Sequence, residues 1–301
     1  MKAELLKFLR VAYDERVAYV KKNKLQAYRL ADLWDIALPA IVDIYEDYAV
    51  IFLLGSLEDA DVADLEEVLR EIVGVKGFFY KNKAKEDIQM PKSSPHTEII
   101  LEEFGAKFKI NLSDYMDTGL FLDHRETRRW VAGLSEGKVV LNTFAYTGSF
   151  SVHAGLAGAE MTHSVDLSKT YCGWIRENLE LNGLAKEKHW VYMMDTFEFY
   201  RYAKRKGLSF DIVVIDPPTF SKNKNEHFSV QKDHRRLIEG AFELLKEDGM
   251  VVFSNNYLRF EMGAMILVKY DVEEITGRTI PEDFALLGGE PIHRCFVIKR
   301  R

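Results

Sequence analysis

From Thr118 onward, short β-branched and apolar runs at Lys138–Asn142, Met161–Asp166, His189–Met193, Asp211–Ile215 and Met250–Ser254 alternate with longer segments whose apolar residues recur every three or four positions. That alternation predicts parallel strands joined by amphipathic helices, the pattern of a doubly wound α/β sheet. Two later runs, Val268–Glu274 and Arg294–Lys299, add a terminal hairpin. The prediction is a Rossmann-like, seven-stranded, mostly parallel sheet. Ahead of it, a helix near 3–22, a strand near Ala49–Leu54, a helix over Asp61–Ile72 and a strand near Gly77–Tyr80 predict a small α+β domain over 1–97. The hydrophilic stretch from Lys81 to Asp87 and on to Pro95 reads as loop or linker. Glu98–Glu103 and Lys107–Leu112 alternate around Phe104-Gly105 and predict a hairpin that joins the two lobes at the head of a 98–301 domain.

Composition narrows the classes. At 301 residues and 47% hydrophobic, the chain can bury one large core and a smaller one. No apolar run approaches the roughly 20 residues needed to cross a bilayer, and the N-terminal Met1–Arg10 mixes charges into an amphipathic helical pattern without a signal-peptide core. The expectation is a cytoplasmic protein with no membrane partner. Cys172 and Cys295 are too far apart to suggest a disulfide framework or zinc site, and the histidines form no ligand-spaced cluster, so no metal is expected. The net charge of −6 weighs against coating nucleic acid through bulk charge. Between Arg201 and Arg236, however, Arg201, Lys204, Arg205, Lys206, Lys222, Lys224, Lys232, Arg235 and Arg236 outnumber Asp211, Asp216, Glu226 and Asp233. This basic run is either a solvated face or a phosphate track.

The candidate chemistry lies where strands end. The run Asp211-Ile-Val-Val-Ile stops at Asp216-Pro217-Pro218-Thr219-Phe220. Two prolines fix two φ angles and remove two donors, so Asp216 and Phe220 are held apart at little entropic cost, in the crevice where open α/β sheets bind ligands. The first strand of the large domain runs into Asn142-Thr143-Phe144-Ala145-Tyr146-Thr147-Gly148-Ser149. Gly148 would allow close backbone approach and the following helix offers free N–H groups; Thr147 or Ser149 acting as a plain cap is the alternative. The turn does not match G-x-G-x-x-G, which argues against pyrophosphate. Asp166, with Leu167 and Ser168, ends the second strand where an acid can accept both ribose hydroxyls, or cap a helix. Asp195 ends the third, placed to accept an adenine amine or to cap Thr196-Phe197-Glu198. Three acids at successive strand ends without a pyrophosphate loop point to S-adenosylmethionine.

The segments Asp117-Thr-Gly-Leu-Phe-Leu-Asp123-His124-Arg125, Asn142–Ser149, Ser164-Val-Asp-Leu-Ser-Lys-Thr-Tyr171, Asp216–Ser221, Val230-Gln-Lys-Asp-His234 and Phe253-Ser-Asn-Asn256 together resemble the class I methyltransferases of bacterial 23S rRNA, nearest to the guanine-N7-methylating half of the bifunctional guanine enzyme. The resemblance spans about 98–301. It implies an S-adenosylmethionine-dependent methyltransferase with an RNA substrate, 23S rRNA or a large-subunit precursor, and residues 1–97 serving RNA or substrate binding. The related cytosine-C5 enzymes carry their nucleophilic cysteine after the fifth strand, where this chain has Phe253-Ser254-Asn255-Asn256. Carbon methylation needs that thiolate. Guanine N7 carries a ready lone pair, so positioning would dominate. Asp216 would then hydrogen-bond the base or cofactor amine, Phe220 would stack on the base, Asn255 and Asn256 would shape the pocket, and Arg125 would pair with the methionyl carboxylate. A noncatalytic RNA-binding assembly factor, or a protein or small-molecule methyltransferase, remain the alternatives.

Overall fold

Met161–Asp166 and His189–Met193 are strands at the bounds their apolar runs predict. The computed structural model describes residues 2–222, 227–284 and 290–301. It divides into two units, Met1–Leu122 and Asp123–Arg301, so the hairpin expected at the head of the larger domain falls in the smaller unit.

In the first unit, α1 (Lys2–Asn23), β1 (Ala27–Asp32), β2 (Ala40–Tyr45), β3 (Tyr48–Leu53), α2 (Asp59–Ile72) and β4 (Gly77–Asn82) precede the hairpin β5 (Glu98–Glu103) and β6 (Ala106–Asn111). The sheet runs β1-β2-β3-β4, antiparallel except for β3 and β4, which α2 links as parallel neighbours. Leu5 and Leu9 of α1 and Leu65 and Leu69 of α2 pack with Leu30, Val42, Ile44 and Ile51. The apolar pattern did not mark β1 and β2 as strands because each carries a charge mid-run. Those charges face each other in register, and Arg29 donates to both Asp43 oxygens, Nε at 2.8 Å and Nη2 at 3.2 Å. The β5–β6 turn places Phe104 at φ 49° and Gly105 at φ 84°, both left-handed, as a two-residue hairpin turn of matching twist requires.

The second unit opens with α3 (Arg125–Ala132), β7 (Val139–Thr143), α4 (Ser149–Leu156), β8 (Met161–Asp166), α5 (Lys169–Leu181), β9 (His189–Met193), α6 (Thr196–Lys206) and β10 (Phe210–Ile215). It continues through β11 (Phe220–Lys222), β12 (His227–Ser229), α7 (Val230–Phe242), β13 (Leu245–Asn255), α8 (Ala264–Lys269), β14 (Tyr270–Glu274), α9 (Thr276–Thr279) and β15 (Arg294–Arg300). Among the described residues the large sheet has seven strands, ordered β14-β15-β13-β10-β7-β8-β9. Strands β7 to β10 and β13 run parallel, and β15 is antiparallel to both its neighbours. The strand expected from Val268 starts at Tyr270 instead, because Val268 and Lys269 close α8.

Successive residues of β10 bury opposite faces. Val213 and Ile215 pack with Phe199, Leu237 and Ile238 from α6 and α7, whereas Ile212 and Val214 pack with Val131, Phe150 and Ala154 from α3 and α4. A strand covered on both sides must read as a continuous apolar run, which is what made it legible. The register pairs Thr143 with Val165 and Ile215, and Ile215 with Phe253, so the carboxyl ends of β7, β8, β10 and β13 share one edge. No helix among the described residues is long and apolar enough to cross a membrane.

Candidate active site

Beyond β7 the backbone takes left-handed values at alternate residues, Phe144 (φ 54°), Tyr146 (φ 51°) and Gly148 (φ 80°). For Phe and Tyr this conformation costs on the order of 1–2 kcal/mol each, so neighbouring contacts must hold it. Tyr146 N donates to Asp166 Oδ2 at 2.9 Å, Ala145 N to the Val165 carbonyl at 3.0 Å, and Gly148 N to the Ala145 carbonyl at 2.8 Å. Asp166 Oδ1 accepts from Ser168 N at 2.8 Å. Burial raises the Asp166 pKa, and the backbone donors of Ser168 and Tyr146 oppose that rise.

The structure assigns several of the expected residues different local duties. A Cβ on Gly148 would meet Ile175 Cγ2 at 2.8 Å, so this glycine is needed for its φ and for the packing of α5. Gly148 is itself the N-cap of α4, without a side-chain cap. Thr147 is buried, and its carbonyl accepts from Asn178 Nδ2 at 2.9 Å. Asn142 is also buried and gives Nδ2 to Ser151 Oγ at 3.1 Å, supporting the turn from below. Ser168 caps α5, accepting from Tyr171 N at 3.3 Å, while Leu167 is exposed beside it. Asp195 caps α6 with Oδ1, accepting from Phe197 N at 2.8 Å and Glu198 N at 3.3 Å. Phe144 packs beside Phe228, and Tyr146 lies edge-on to Tyr171.

Arg125 is the clearest departure. Expected to reach a ligand carboxylate, it is fully buried, and its Nη1 lies 2.7 Å from both oxygens of Asp283. Its charge is already matched inside the fold.

Asp216 directly follows β10, and Pro217 and Pro218 carry the chain to Phe220, which is 67% exposed. Thr219 fastens this loop twice, through its carbonyl to Val230 N at 3.1 Å and through Oγ1 donating to Asn256 Oδ1 at 2.6 Å. Phe220 meets Tyr257 edge-to-face at 6.2 Å. Asn255, fully buried, accepts from Tyr257 N through Oδ1 at 3.1 Å. The Val230–His234 motif holds the same wall from behind: Gln231 exchanges two 2.9 Å bonds with the Glu261 backbone, and His234 Nε2 accepts from Gly263 N at 2.9 Å.

Behind Asp216 lies a titratable cluster. His124 Nε2 stands 3.5 Å from Asp216 Oδ2, 3.7 Å from Asp123 Oδ2 and 3.5 Å from Ser254 Oγ. His293 Nδ1 stands 3.2 Å from Asp123 Oδ2, and the two imidazoles stack at 4.2 Å. The Asp216 pKa is pushed up to about 7, mainly by burial and then by the Asp123 charge, against the opposing pull of His293, Ser254 and Arg128. His293 carried no sequence signal, because nothing in its spacing ties it to His124.

Both thiols are inert by placement. Cys172 is buried with Sγ 3.4 Å from the Asp166 carbonyl, and Cys295 is fully buried in β15; burial raises both pKa values. The basic run is partly neutralised: Lys204 pairs with Glu243 at 2.7 Å, Arg235 with Glu239 at 3.2 Å, and Arg236 lies over the Phe197 ring. Lys224 and Glu226 lie outside the described residues.

A family model described as S-adenosylmethionine-dependent methyltransferase matches residues 82–275. A Neisseria meningitidis serogroup B protein named ribosomal RNA large subunit methyltransferase K is 36% identical over 299 residues, covering 94% of this chain and 83% of its own length. A Hahella chejuensis protein named ribosomal RNA large subunit methyltransferase K/L is 37% identical over 295 residues, 93% of this chain. The chain spans only 40% of that longer relative. A crystal structure described as a methyltransferase complexed with SAH superposes with a TM-score of 0.84 at 29% identity, covering 99% of this chain and 81% of the other.

Two substitutions test this geometry. Asp283→Ala removes the buried carboxylate that Arg125 faces, and it should lower unfolding free energy by about 3–5 kcal/mol in urea titration; unchanged stability with weakened cofactor binding would return Arg125 to the ligand. Gly148→Ala combines an unfavourable φ with the Ile175 clash, and thermal unfolding should show a loss of about 1–3 kcal/mol.

Proposed function

The chain belongs to the S-adenosylmethionine-dependent methyltransferase family, and on that premise we propose that it methylates N7 of a guanine in large-subunit ribosomal RNA. The left-handed turn after β7, the N-terminus of α4 and the Asp166 carboxylate suit the cofactor's amino-acid and ribose ends. When bound, S-adenosylmethionine supplies a methyl carbon that takes the N7 lone pair while the C–S bonding electrons return to sulfur. No proton leaves the base in that exchange. The protein's task is therefore positioning and charge.

The observation that carries nitrogen over carbon is the state of the two thiols. Attack at cytosine C5 needs an accessible thiolate, whereas Cys172 and Cys295 are buried with raised pKa values and Asn255 stands at the end of β13. The wall suits a purine: Phe220 offers an exposed ring for stacking, Tyr257 braces it edge-on, and Asp216 offers acceptor oxygens to the N–H groups of a base or of the cofactor amine. A target within a duplex would be flipped into this recess. The smaller unit contributes RNA contact, with Trp34, 63% exposed, as a stacking surface.

Three outcomes are expected. Ribosomal RNA from cells lacking the protein should lose one methylguanine, seen by mass mapping of nuclease fragments; transfer of labelled methyl to protein alone would overturn the RNA reading. Asp216→Asn should lower transfer by about 100-fold or more while stabilising the fold. The sign follows from the raised pKa: ionising Asp216 costs stability that accumulates from its unfolded value of 3.8 to about 7 and is complete above it, and asparagine escapes that cost. Cys172→Ser and Cys295→Ser should leave kcat/KM within about threefold; loss of activity together with a trapped covalent RNA adduct would revive cytosine chemistry.

A further inference from the structure

The basic run between Arg201 and Arg236 has no part in the chemistry of the recess, yet the fold gives it an order. Helices α6 and α7 cover the same face of the large sheet, burying Phe199, Tyr200 and Ala203 of one and Leu237, Ile238 and Ala241 of the other. They lie side by side. A Cβ on Gly240 would meet Tyr200 Cδ2 at 2.6 Å, so a larger residue there would push the helices apart. One turn earlier on α7, the Arg236 guanidinium lies 3.8 Å from the Phe197 ring centroid, and just beyond α7 Glu243 pairs with Lys204 at 2.7 Å. Arg236, Gly240 and Glu243 thus meet Phe197, Tyr200 and Lys204 in order, and the outer ridges of the two helices are neighbours.

Those ridges carry a row of cations. Lys232 and Arg236 are four residues apart on α7, Arg236 rests on Phe197, and Arg201 and Arg205 follow Phe197 at successive turns of α6. All four are exposed. The row begins beside the aromatic wall: Ser229 stands opposite Phe220 in the β11–β12 register, and its amide donates to Asp233 Oδ2 at 2.8 Å, on the same turn as Lys232.

A solvated face is the competing use of such a run, and the spacing argues against it. Stabilising charge on a helix surface pairs opposite signs three or four residues apart, whereas Lys232 with Arg236 and Arg201 with Arg205 place like charges four apart, where they oppose the helix. The nearby acids are engaged elsewhere. Glu239 meets Arg235 at 3.2 Å and Lys269 at 3.6 Å, Glu243 meets Lys204, and Asp233 holds the Ser229 amide. Glu198, exposed in the first turn of α6, is one acid beside four cations.

We propose that Lys232, Arg236, Arg201 and Arg205 form a track for the phosphate backbone of the RNA strand that delivers the target base to Phe220. The track rests on the ribosomal RNA reading of the site. Repulsion retained in both helices, in a chain whose net charge is −6, is relieved when a polyanion lies along them. Three of the four cations are arginines, whose planar donors match phosphate oxygens, and the Phe197 ring restricts Arg236 before any ligand arrives. Because the row runs away from the wall, it fixes the approach of the strand and leaves the reading of the base to the recess.

The test measures binding of the full chain to large-subunit ribosomal RNA made by transcription, over a range of salt. Lys232→Gln and Arg201→Gln should each flatten the slope of log affinity against log salt by about 0.7–0.9, the share of one phosphate contact, and together by about twice that. The weakening should be equal on RNA of unrelated sequence, since phosphate contacts carry no sequence information. With S-adenosylmethionine saturating, KM for RNA should rise while kcat stays within about twofold. Lys204→Gln removes a cation that Glu243 already engages and should leave the slope unchanged. A double variant with the parent slope, or a Lys204→Gln variant that flattens it equally, would overturn the track while methylation of RNA by the parent chain stands. A KM rise confined to an acidic protein substrate would overturn it in favour of that partner. Flattened slopes in a chain that transfers no methyl group to RNA would sustain the track and overturn only the proposed function.

Discussion

One carboxylate ties the carboxyl edge of the sheet together. Asp166 accepts Tyr146 N through one oxygen and Ser168 N through the other, joining the turn after β7 to the start of α5. Without it the left-handed residues of that turn would have less to offset their strain, since a backbone bent away from its preferred wells persists only where surrounding contacts over-determine it. The burial that raises the Asp166 pKa and the backbone donors that restrain it therefore belong to one construction. The recess is assembled by hydrogen bonds between loops, on a sheet whose own core lies below.

A strand buried on both faces was legible because little else reads as an unbroken apolar run; Ile212–Ile215 of β10 is the example. Strands β1 and β2 were not, because Arg29 and Asp43 break the apolar pattern and only their pairing across the register removes the cost. The start of β14 was misplaced for a related reason, since Val268 is an apolar helix residue directly beside a strand.

The site was legible by type more than by duty. Asp166, Asp216 and Phe220 stand at strand ends as expected, yet Gly148 makes room for Ile175, Asn142 works below the surface, and Arg125 answers Asp283. A helix cap and a ligand contact ask for the same residue types at the same strand ends, so spacing alone cannot separate them. His293 was invisible because its partnership with Asp123 depends on how the chain returns into the sheet.

Asn255 shows how tightly chemistry and architecture are joined here. Its Oδ1 restrains the backbone of Tyr257, the ring that braces Phe220. Sulfur is a poor acceptor, so a cysteine at this position would bring a nucleophile and at the same moment slacken the contact between Tyr257 and Phe220. Placing a thiol here is thus not a one-residue step. The residue that stands where a thiol would be also restrains the Tyr257 backbone, and any descendant that exchanged it would need a second fastening for Tyr257.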